Sequence, residues 1–578
     1  MNQTEPLSQV GDPTLDMGEP LQMMPIEEAP TMEGRSNLRV FLVMMALALV
    51  LFCSALDSSI VSTVLPTISS DLRSAAGYVW IGSAYMLGYA AASTVWANLS
   101  DIWGRKPILL SALVLFFGSS IICATAVNMP MLIAGRAILG TAGGGMLQMV
   151  NIIISDIFSV SPMPLVHLAF PSSSRMLIDF KNRRRSLFLG LLEIVWTIAG
   201  ALGPILGGAL TQSLSWRWIF WINLPLTGFA FLVLVLFLDV HNPRTSPMVG
   251  LRSIDWGGTI CVLGIALMLL IGLNFGGVTF AWNSAQVICL LVFGVVTLPL
   301  FIYCEARFAR MPLMPLDIFK KAHNSAIFII TFCHSAVATG SDWFLPLYFQ
   351  ATRLASPLHS GVLLLPIVIS SSLMSGVVGF VIHKTGRYIE IIRLGNVLVL
   401  LGIGLFVDFD SSSSLTKIIA YQIILGLGMG MLFFPPLLAL QANVSSGQTA
   451  AATATFGFTR SMSASVAVVL GGVLFQNGMN VQQPRLVAAG LPANITDAFK
   501  GSDAGANVLL VATIENPEHQ REMQNAFSDS IRHIWYLYTA LSAVGVVSCI
   551  FVKKHVMSEV HTEVKTGLEG NRAQEKKP

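Results

Sequence analysis

Asp57, Arg136, Glu193 and Asp342 are ionisable side chains that stand within long apolar runs of the sequence. A charged group at the depth of a lipid bilayer is costly, so it usually faces a bundle interior or a water-filled cavity and takes part in binding or proton transfer. These four residues are therefore the candidates for proton coupling or for binding a charged substrate.

Each candidate also has a purely structural interpretation. Asp57 leads as the group that takes up and releases protons, and otherwise it would hydrogen-bond to neighbouring backbone in a packed bundle. Arg136 would supply the counter-charge that a proton displaces, or it would snorkel towards the interface. Glu193 and Asp342 would titrate or bind a cationic substrate, although Asp342 would equally suit an outer mouth and ranks below Asp57.

The composition indicates what kind of elements hold these residues. The chain has 578 residues, of which 54% are hydrophobic and 11% charged, and its mean hydropathy is +0.70. Soluble globular chains are about 45–50% apolar with about a quarter of their residues charged. An ordinary soluble protein is therefore excluded, and the chain is expected to lie in lipid.

Fourteen apolar runs approach the ~20 residues that a helix needs to cross a bilayer. They cover residues 40–68, 77–98, 107–128, 131–155, 187–210, 216–239, 256–274, 284–304, 325–350, 360–382, 389–407, 416–441, 452–475 and 533–552. A membrane β-barrel would instead show alternating segments of about 10 residues. The sequence therefore predicts an all-α integral membrane protein with fourteen transmembrane helices.

Basic residues predict the orientation of this bundle. Most of them stand in the loops that share a side with the N-terminus, so the positive-inside rule places both termini in the cytoplasm. The first 38 residues, which are acidic, and residues 556–578 are predicted to be cytoplasmic tails. The longest gap on the opposite side, roughly 476–532, contains the sequon "NIT" at Asn494, which we predict to be N-glycosylated.

Two segments that stand 282 positions apart indicate an internal repeat. The stretches "ANLSDIWGRKP" and "GFVIHKTGRYI" align Gly104 with Gly386, and "RAILGTAGGGM" from Arg136 likewise resembles "QIILGLGMGML" from Gln422. Parallel halves of this kind are typical of carriers that rock around a site at the bilayer midplane.

The repeat predicts the domain organisation. Six helices at 39–239 and six at 324–555 form two halves, and two extra helices lie in the linker at 240–323.

The loop after the second helix carries an unusual density of charge in "NLSDIWGRKP". Gly104 supplies the backbone freedom for a sharp turn, and the basic residues hold the loop in the cytoplasm, which is also what a plain solvated turn would do. The residues predicted to gate transport from this loop are Leu99, Asp101, Gly104, Arg105 and Lys106.

The fifth helix carries four glycines around a proline in "GALGPILGGAL". Such a ridge without side chains allows close helix approach and bending, and structural packing alone would also explain it. Its members are Gly200, Gly203, Pro204, Gly207 and Gly208.

These motifs together resemble the major facilitator superfamily. "NLSDIWGRKP" resembles its motif A, and "GALGPILGGAL" resembles the motif typical of its antiporters. "LDSSIVSTVLPTI" in helix one and "SWRWIFWINLP" before helix six are similar to signatures of the fourteen-helix drug:proton antiporters. The sequence as a whole resembles those of fungal toxin and multidrug efflux pumps.

The resemblance implies the major facilitator fold and a proton-driven exporter of small lipophilic compounds such as a toxin, secondary metabolite or drug. It implies a monomeric plasma-membrane protein, or a vacuolar one, that uses the proton gradient and no cofactor. Aromatic residues that would suit an apolar pocket are Trp196, Trp343, Tyr348, Phe456 and Phe458.

Other functions are excluded or stay open. The sequence has no Walker-type phosphate loop, no catalytic constellation and no metal-ligand spacing, so we expect no ATPase, no enzyme and no bound metal or nucleic acid. A carrier for siderophores or basic amino acids, working in uptake or at the vacuole, remains an alternative. A non-transporting sensor on the same fold is the other.

Residues 160–181 interrupt the resemblance. These 22 residues contain three prolines and no charge before Arg175, where a short basic loop is expected. We interpret them as a retained intron, since Val-Ser at the start can be encoded by a splice donor and the terminal Lys codon can end in AG. A genuine flexible insert is the alternative, because loops tolerate added length at small cost.

Overall fold

The computed structural model describes residues 37–74, 77–159, 192, 194–196, 198–239, 248, 256–276, 280–307, 314, 316–444, 449–501 and 503–553. Three sequence predictions lie outside these ranges, namely Glu193, the insert at 160–181 and nearly all of the two tails.

Helices make up the described part of the chain, apart from loops and one isolated bridge between Gly276 and Phe280. The first half contains α1 (Asn37–Ile60), α2 (Leu65–Asp71), α3 (Gly77–Trp103), α4 (Arg105–Ala124), α5 (Met129–Ser159), α6 (Ile194–Ser213), α7 (Trp218–Trp221) and α8 (Asn223–Phe237). Then follow α9 (Trp256–Phe275) and α10 (Ala285–Arg307).

The second half begins after a 3₁₀ turn at Leu316–Lys320. It contains α11 (Ala322–Thr352), α12 (Pro357–Val362), α13 (Leu365–Thr385), α14 (Ile389–Phe406), α15 (Leu415–Gly430), α16 (Pro435–Gln441), α17 (Thr449–Ala488), α18 (Ala493–Ala498), α19 (Asp503–Ala506) and α20 (Pro517–Ser548). Short 3₁₀ turns occupy Val508–Thr513 and Cys549–Phe551.

Twelve segments in the described ranges are long and apolar enough to cross a membrane. Helices α3 and α11, with 27 and 31 residues, coincide with the other two predicted spans but are more polar. Most side chains of α11 are buried inside the protein, so this helix has less need for the apolar surface that lipid requires. The all-helical membrane architecture is confirmed, and the number of fourteen crossings stays a prediction.

The helices pack in two groups. In the first group α3 packs on α5, α4 on α5, and α1 on α8, while in the second group α13 and α14 pack on α15, and α11 packs on α17 and α20. The groups meet along α3 and α17, and α9 contacts both of these helices from outside. The predicted domain boundaries themselves stay predictions.

The two glycines aligned by the internal repeat both have a positive φ, although ψ is 161° at Gly104 and 5° at Gly386. Gly104, just before α4, has φ of 91°, and Gly386, just after α13, has φ of 67°. L side chains rarely adopt such positive φ values, so glycine is required at both turns.

The region between the last two crossings differs from the prediction of a polar gap at 476–532. Helix α17 continues to Ala488 and α20 already begins at Pro517, and the residues between them fold into a lobe, here named the outer lobe (residues 476–516). Apolar side chains explain the extension, because Phe527 packs against Phe475 and Phe499 with ring centroids 5.7 and 5.8 Å apart.

Successive crossings alternate in direction, so the bundle has two faces. The N-terminal face is the one where α1 begins, and the far face is the one where α2 ends. The outer lobe lies on the far face. It belongs to the second half, yet its helix α19 contacts α2 of the first half.

Candidate functional site

A buried ion pair joins two of the four predicted residues. Arg136 Nη1 on α5 donates to Asp57 Oδ2 on α1 at 2.6 Å, and both side chains have 0% exposure. The other carboxylate oxygen accepts a hydrogen bond from Asn223 Nδ2 at 3.0 Å, and Arg136 Nε donates to the Ile81 carbonyl at 3.2 Å. The structure thus places Arg136 as the counter-charge of Asp57.

This pair lies at the end of the regular part of α1. Asp57 is near Ile60, where α1 stops, and the chain continues through a turn at 61–64 into α2. The aspartate is therefore central to the crossing as a whole, although it is not central to α1.

Tyr85 separates the pair from a cavity between the two halves. The Arg136 guanidinium carbon lies 4.3 Å from the centre of the Tyr85 ring, and Tyr85 itself lines the cavity. Arg136 Nη2 is buried and has no hydrogen-bond partner among the described residues. The arginine is held by one carboxylate, one carbonyl and the rings of Tyr85 and Phe220, and Nη2 is left as a donor without a partner among the described residues.

The cavity has a volume of about 180 Å³ and is bounded by both halves. Its wall is a mixture of apolar, aromatic and hydroxyl side chains with few charges. Representative residues are Ser58, Tyr85 and Trp196 from the first half, and Asp342, Trp343 and Arg460 from the second.

Asp342 reaches this cavity from α11, the helix that corresponds to α1 in the repeat. The carboxyl group is exposed to the cavity and has no ion-pair or hydrogen-bond partner among the described residues. It does not join the Asp57–Arg136 pair.

Arg460 on α17 is a cavity residue that the sequence analysis missed. Its guanidinium carbon lies 5.0 Å from the Phe433 ring centre and 6.0 Å from that of Trp196, which belongs to the other half. His334 Nε2 lies 3.2 Å from the Met429 carbonyl and shares the same wall. The signal was present, because Arg460 is a charge inside the predicted span 452–475.

The glycines of α6 serve several different contacts. A Cβ atom at Gly203 would lie 2.9 Å from the Ile60 nitrogen, and one at Gly207 would lie 3.1 Å from Thr63 Oγ1. Thr63 Oγ1 also donates to the Pro204 carbonyl at 3.1 Å. These glycines let α6 pack closely on the end of α1, whereas Gly200 has no neighbour within 4 Å of such a Cβ and lines the cavity.

Gly208 makes the contact between halves. A Cβ atom there would lie 2.6 Å from the Leu358 Cα and nitrogen on α12. Reciprocally, a Cβ atom at Gly361 would lie 2.8 Å from the Pro204 carbonyl carbon. Backbone therefore meets backbone on the far-face side of the cavity, and this approach depends on a glycine from each half.

The charged segment predicted as a loop is instead helical except at Gly104, since it forms the end of α3 and the start of α4, and it is anchored to the first half. Arg105 is 4% exposed, and its Nη1 donates to Ser100 Oγ at 2.7 Å. Lys106 Nζ donates to the Val235 carbonyl at 2.8 Å, and Leu99 packs partly buried against the core. The contacts of the Asp101 side chain lie outside the described part of the structure.

The other predicted residues are placed as follows. Of the aromatic set, Trp196 and Trp343 line the cavity, whereas Tyr348, Phe456 and Phe458 are not among its lining residues. Asn494 is exposed on α18 of the outer lobe. No group of three metal-ligating side chains occurs within the described ranges.

Comparison with known proteins gives consistent matches along nearly the whole chain. Residues 47–468 match the family described as the Major Facilitator Superfamily. The efflux pump dotC of Dothistroma septosporum (strain NZE10) is 41% identical over 545 residues, covering 94% of this chain and 89% of that protein. The MFS-type transporter ppz2 of Metarhizium majus is 41% identical over 554 residues, covering 96% and 92%. The efflux pump FUS6 of Gibberella moniliformis is 33% identical over 534 residues, covering 92% and 91%.

Solved structures show the same fold at low identity. A bacterial homologue of the human lysosomal transporter Spinster, inward-facing and unoccupied, gives a TM-score of 0.56 at 14% identity and covers 90% of this chain and 98% of its own. The human organic anion transporter MFSD10 (TETRAN) gives 0.52 at 14% identity, covering 89% and 99%. At this identity the likeness concerns the fold alone.

Proposed function

Since this chain belongs to the major facilitator superfamily and is a multi-pass membrane transporter rather than an enzyme, we propose that it exports small lipophilic compounds in exchange for protons. The observation that carries the proposal is the buried Asp57–Arg136 pair, which lies directly behind the Tyr85 wall of the central cavity.

The cavity supports the choice of substrate. Small lipophilic molecules gain affinity from concave, largely apolar walls with a few polar groups that fix their orientation. Trp196, Trp343 and Phe433 provide such walls, and Ser58 and Ser62 add hydroxyl groups. The names of the relatives, which include efflux pumps, support export as the direction.

The ion pair supports coupling to protons. When a proton binds Asp57, the carboxylate loses its charge, and Arg136 keeps a charge that no longer has an acidic partner there. The guanidinium must then find other acceptors, and its contact with Tyr85 transmits any shift to the cavity wall. Protonation at a buried site is thereby linked to the shape of the substrate site, which is the requirement for exchange.

The remaining features belong to the same proposal. The protein works as a monomer in the plasma membrane with both termini in the cytoplasm, draws its energy from the proton gradient, and carries a glycan at Asn494. The exposed position of Asn494 in the outer lobe is compatible with that modification.

The test is efflux of a panel of fluorescent lipophilic compounds from cells that express the chain. A protonophore and the Asp57→Asn substitution are each expected to abolish export. Asp317→Asn provides the matched control, because this aspartate is exposed and its ion pair in the described part of the chain is with Lys320 at the protein surface.

Two results would contradict the proposal. Export that survives both the protonophore and Asp57→Asn would exclude proton coupling through this pair. Accumulation of the fluorescent compounds inside the cell would show that the direction of transport is uptake and not export.

A further inference from the structure

The cavity contains a positive charge that the proposed transport cycle does not use. Among the described lining residues, Arg460 is the one arginine, and Asp342 is the one acid. Neither has an ion-pair partner within 4.0 Å in the described part of the chain. Within the described part of the chain, both groups therefore remain open to a substrate in the cavity.

The two groups differ in a way that decides what the cavity prefers. A carboxyl group can become neutral by binding a proton, whereas a guanidinium does not lose its proton in proteins. The charge of Arg460 is thus present in every protonation state of the cavity. An acceptor with a negative charge is its natural complement.

The surroundings of Arg460 define the rest of the ligand. Its guanidinium lies near the rings of Phe433 and Trp196, and guanidinium groups that stack on aromatic faces keep their N–H edges for hydrogen bonds. An aromatic or conjugated ligand extends this stack. An acidic oxygen at the edge of that ligand accepts hydrogen bonds from the N–H groups of the Arg460 guanidinium. Because Trp196 and Phe433 come from different halves, such a ligand is held by both.

We propose that the cavity selects lipophilic aromatic compounds that carry an ionised oxygen, as a carboxylate or an acidic phenolate, and that Arg460 binds this oxygen. The inference rests on the proposed function in that it names the substrate class of the same cavity. It does not depend on proton coupling through Asp57.

The test is equilibrium binding of 1-pyrenebutyrate and of its methyl ester to the purified full-length chain in detergent at neutral pH. The two probes share the same ring and differ in the charge of the terminal oxygen. Since hydrogen bonds to charged groups are the strong ones, we expect the acid to bind on the order of tenfold to a hundredfold more tightly than the ester.

Substitutions at Arg460 locate the preference. Arg460→Gln is expected to weaken binding of the acid by the same factor and to leave binding of the ester unchanged, and the retained ester binding shows that the variant is folded. Arg387→Gln is the matched control, because this arginine is exposed after α13 and does not line the cavity, and it is expected to keep the preference for the acid.

Equal affinities of the two probes for the unmodified chain would overturn the inference. An equal loss of both probes in Arg460→Gln would also overturn it, because Arg460 would then have a structural role.

The outcome is independent of the transport assay. If the acid preference is present and export survives a protonophore, the inference stands and proton coupling fails. If export is proton-driven and the two probes bind equally, the proposed function stands and the inference fails.

Discussion

Replacing Gly208 with alanine is expected to force the two halves apart on the far face. The added Cβ would lie 2.6 Å from the Leu358 Cα and nitrogen, whereas ordinary contact begins near 3.4 Å. The opposing atoms belong to backbone, so the helices must separate by about 0.8 Å rather than adjust a side chain. Overpacking of this size costs about 1–3 kcal/mol, which shifts a two-state population by roughly fivefold to a hundredfold.

The assay is labelling of a cysteine placed in the cavity. Ser62 lines the cavity in the first half, so Ser62→Cys reports whether a membrane-impermeant maleimide added on the far face enters. We subtract the labelling of the parent chain from that of Ser62→Cys. The remaining labelling is expected to rise severalfold when Gly208→Ala is added to Ser62→Cys. Gly361→Ala is expected to act in the same direction, because its Cβ would meet the Pro204 backbone.

Gly379→Ala is the matched control for this prediction. It lies in α13, the helix that follows Gly361, and a Cβ atom there would have no neighbour within 4 Å. The reasoning is wrong if Gly208→Ala labels like the parent chain, or if Gly379→Ala has an equal effect.

The remaining predictions concern stability. Arg136→Gln strands a buried carboxylate and is expected to cost about 3–5 kcal/mol, and the double variant with Asp57→Asn should lose less than the two single losses combined in thermal unfolding. Gly104→Ala is expected to cost about 1–3 kcal/mol in the same measurement, because φ of 91° suits only glycine; a cost near zero would show that this turn relaxes freely. Outside the membrane, the hydrogen bond and charge of Lys417 hold the pKa of Asp408 below its ordinary value. The ionised Asp408 therefore stabilises the folded state above the pKa of the unfolded state, and this stabilisation is lost as the pH falls through the pKa of the folded state. Unfolding temperatures between about pH 3 and 5 should therefore depend less on pH in Lys417→Ala, and an unchanged dependence would contradict the assignment.

Features that depend on local chemistry were predictable from the sequence. Long apolar runs correspond to helices within a few residues at most boundaries, because satisfying the backbone in lipid leaves few alternatives. The turn at Gly104 followed from its place before a proline-containing helix start. The alignment with Gly386 extended the need for a glycine with positive φ to the second half.

Features that depend on contacts between distant segments were harder to predict. Asn223 stands in the recognised "SWRWIFWINLP" segment, yet only the packing of α8 against α1 reveals that its amide binds Asp57. Gly207 and Gly208 are neighbours in one motif, but helical rotation turns one towards α1 and the other towards α12. The extent of the outer lobe was missed because its helices are too polar to count as membrane spans and are stabilised by aromatic contacts instead.

The outer lobe belongs to the second half and reaches across the far face to the first half. Phe499 packs on Phe527 of α20 and fastens the lobe to the second half, and Arg485 adds ion pairs to Glu522 and Asp529 on α20 at 3.0 and 2.9 Å. Its helix α19 also contacts α2 of the first half, and any widening of the far face has to break this contact. A binder that clamps the lobe to α2 would therefore stall the transport cycle from outside the membrane without entering the substrate cavity.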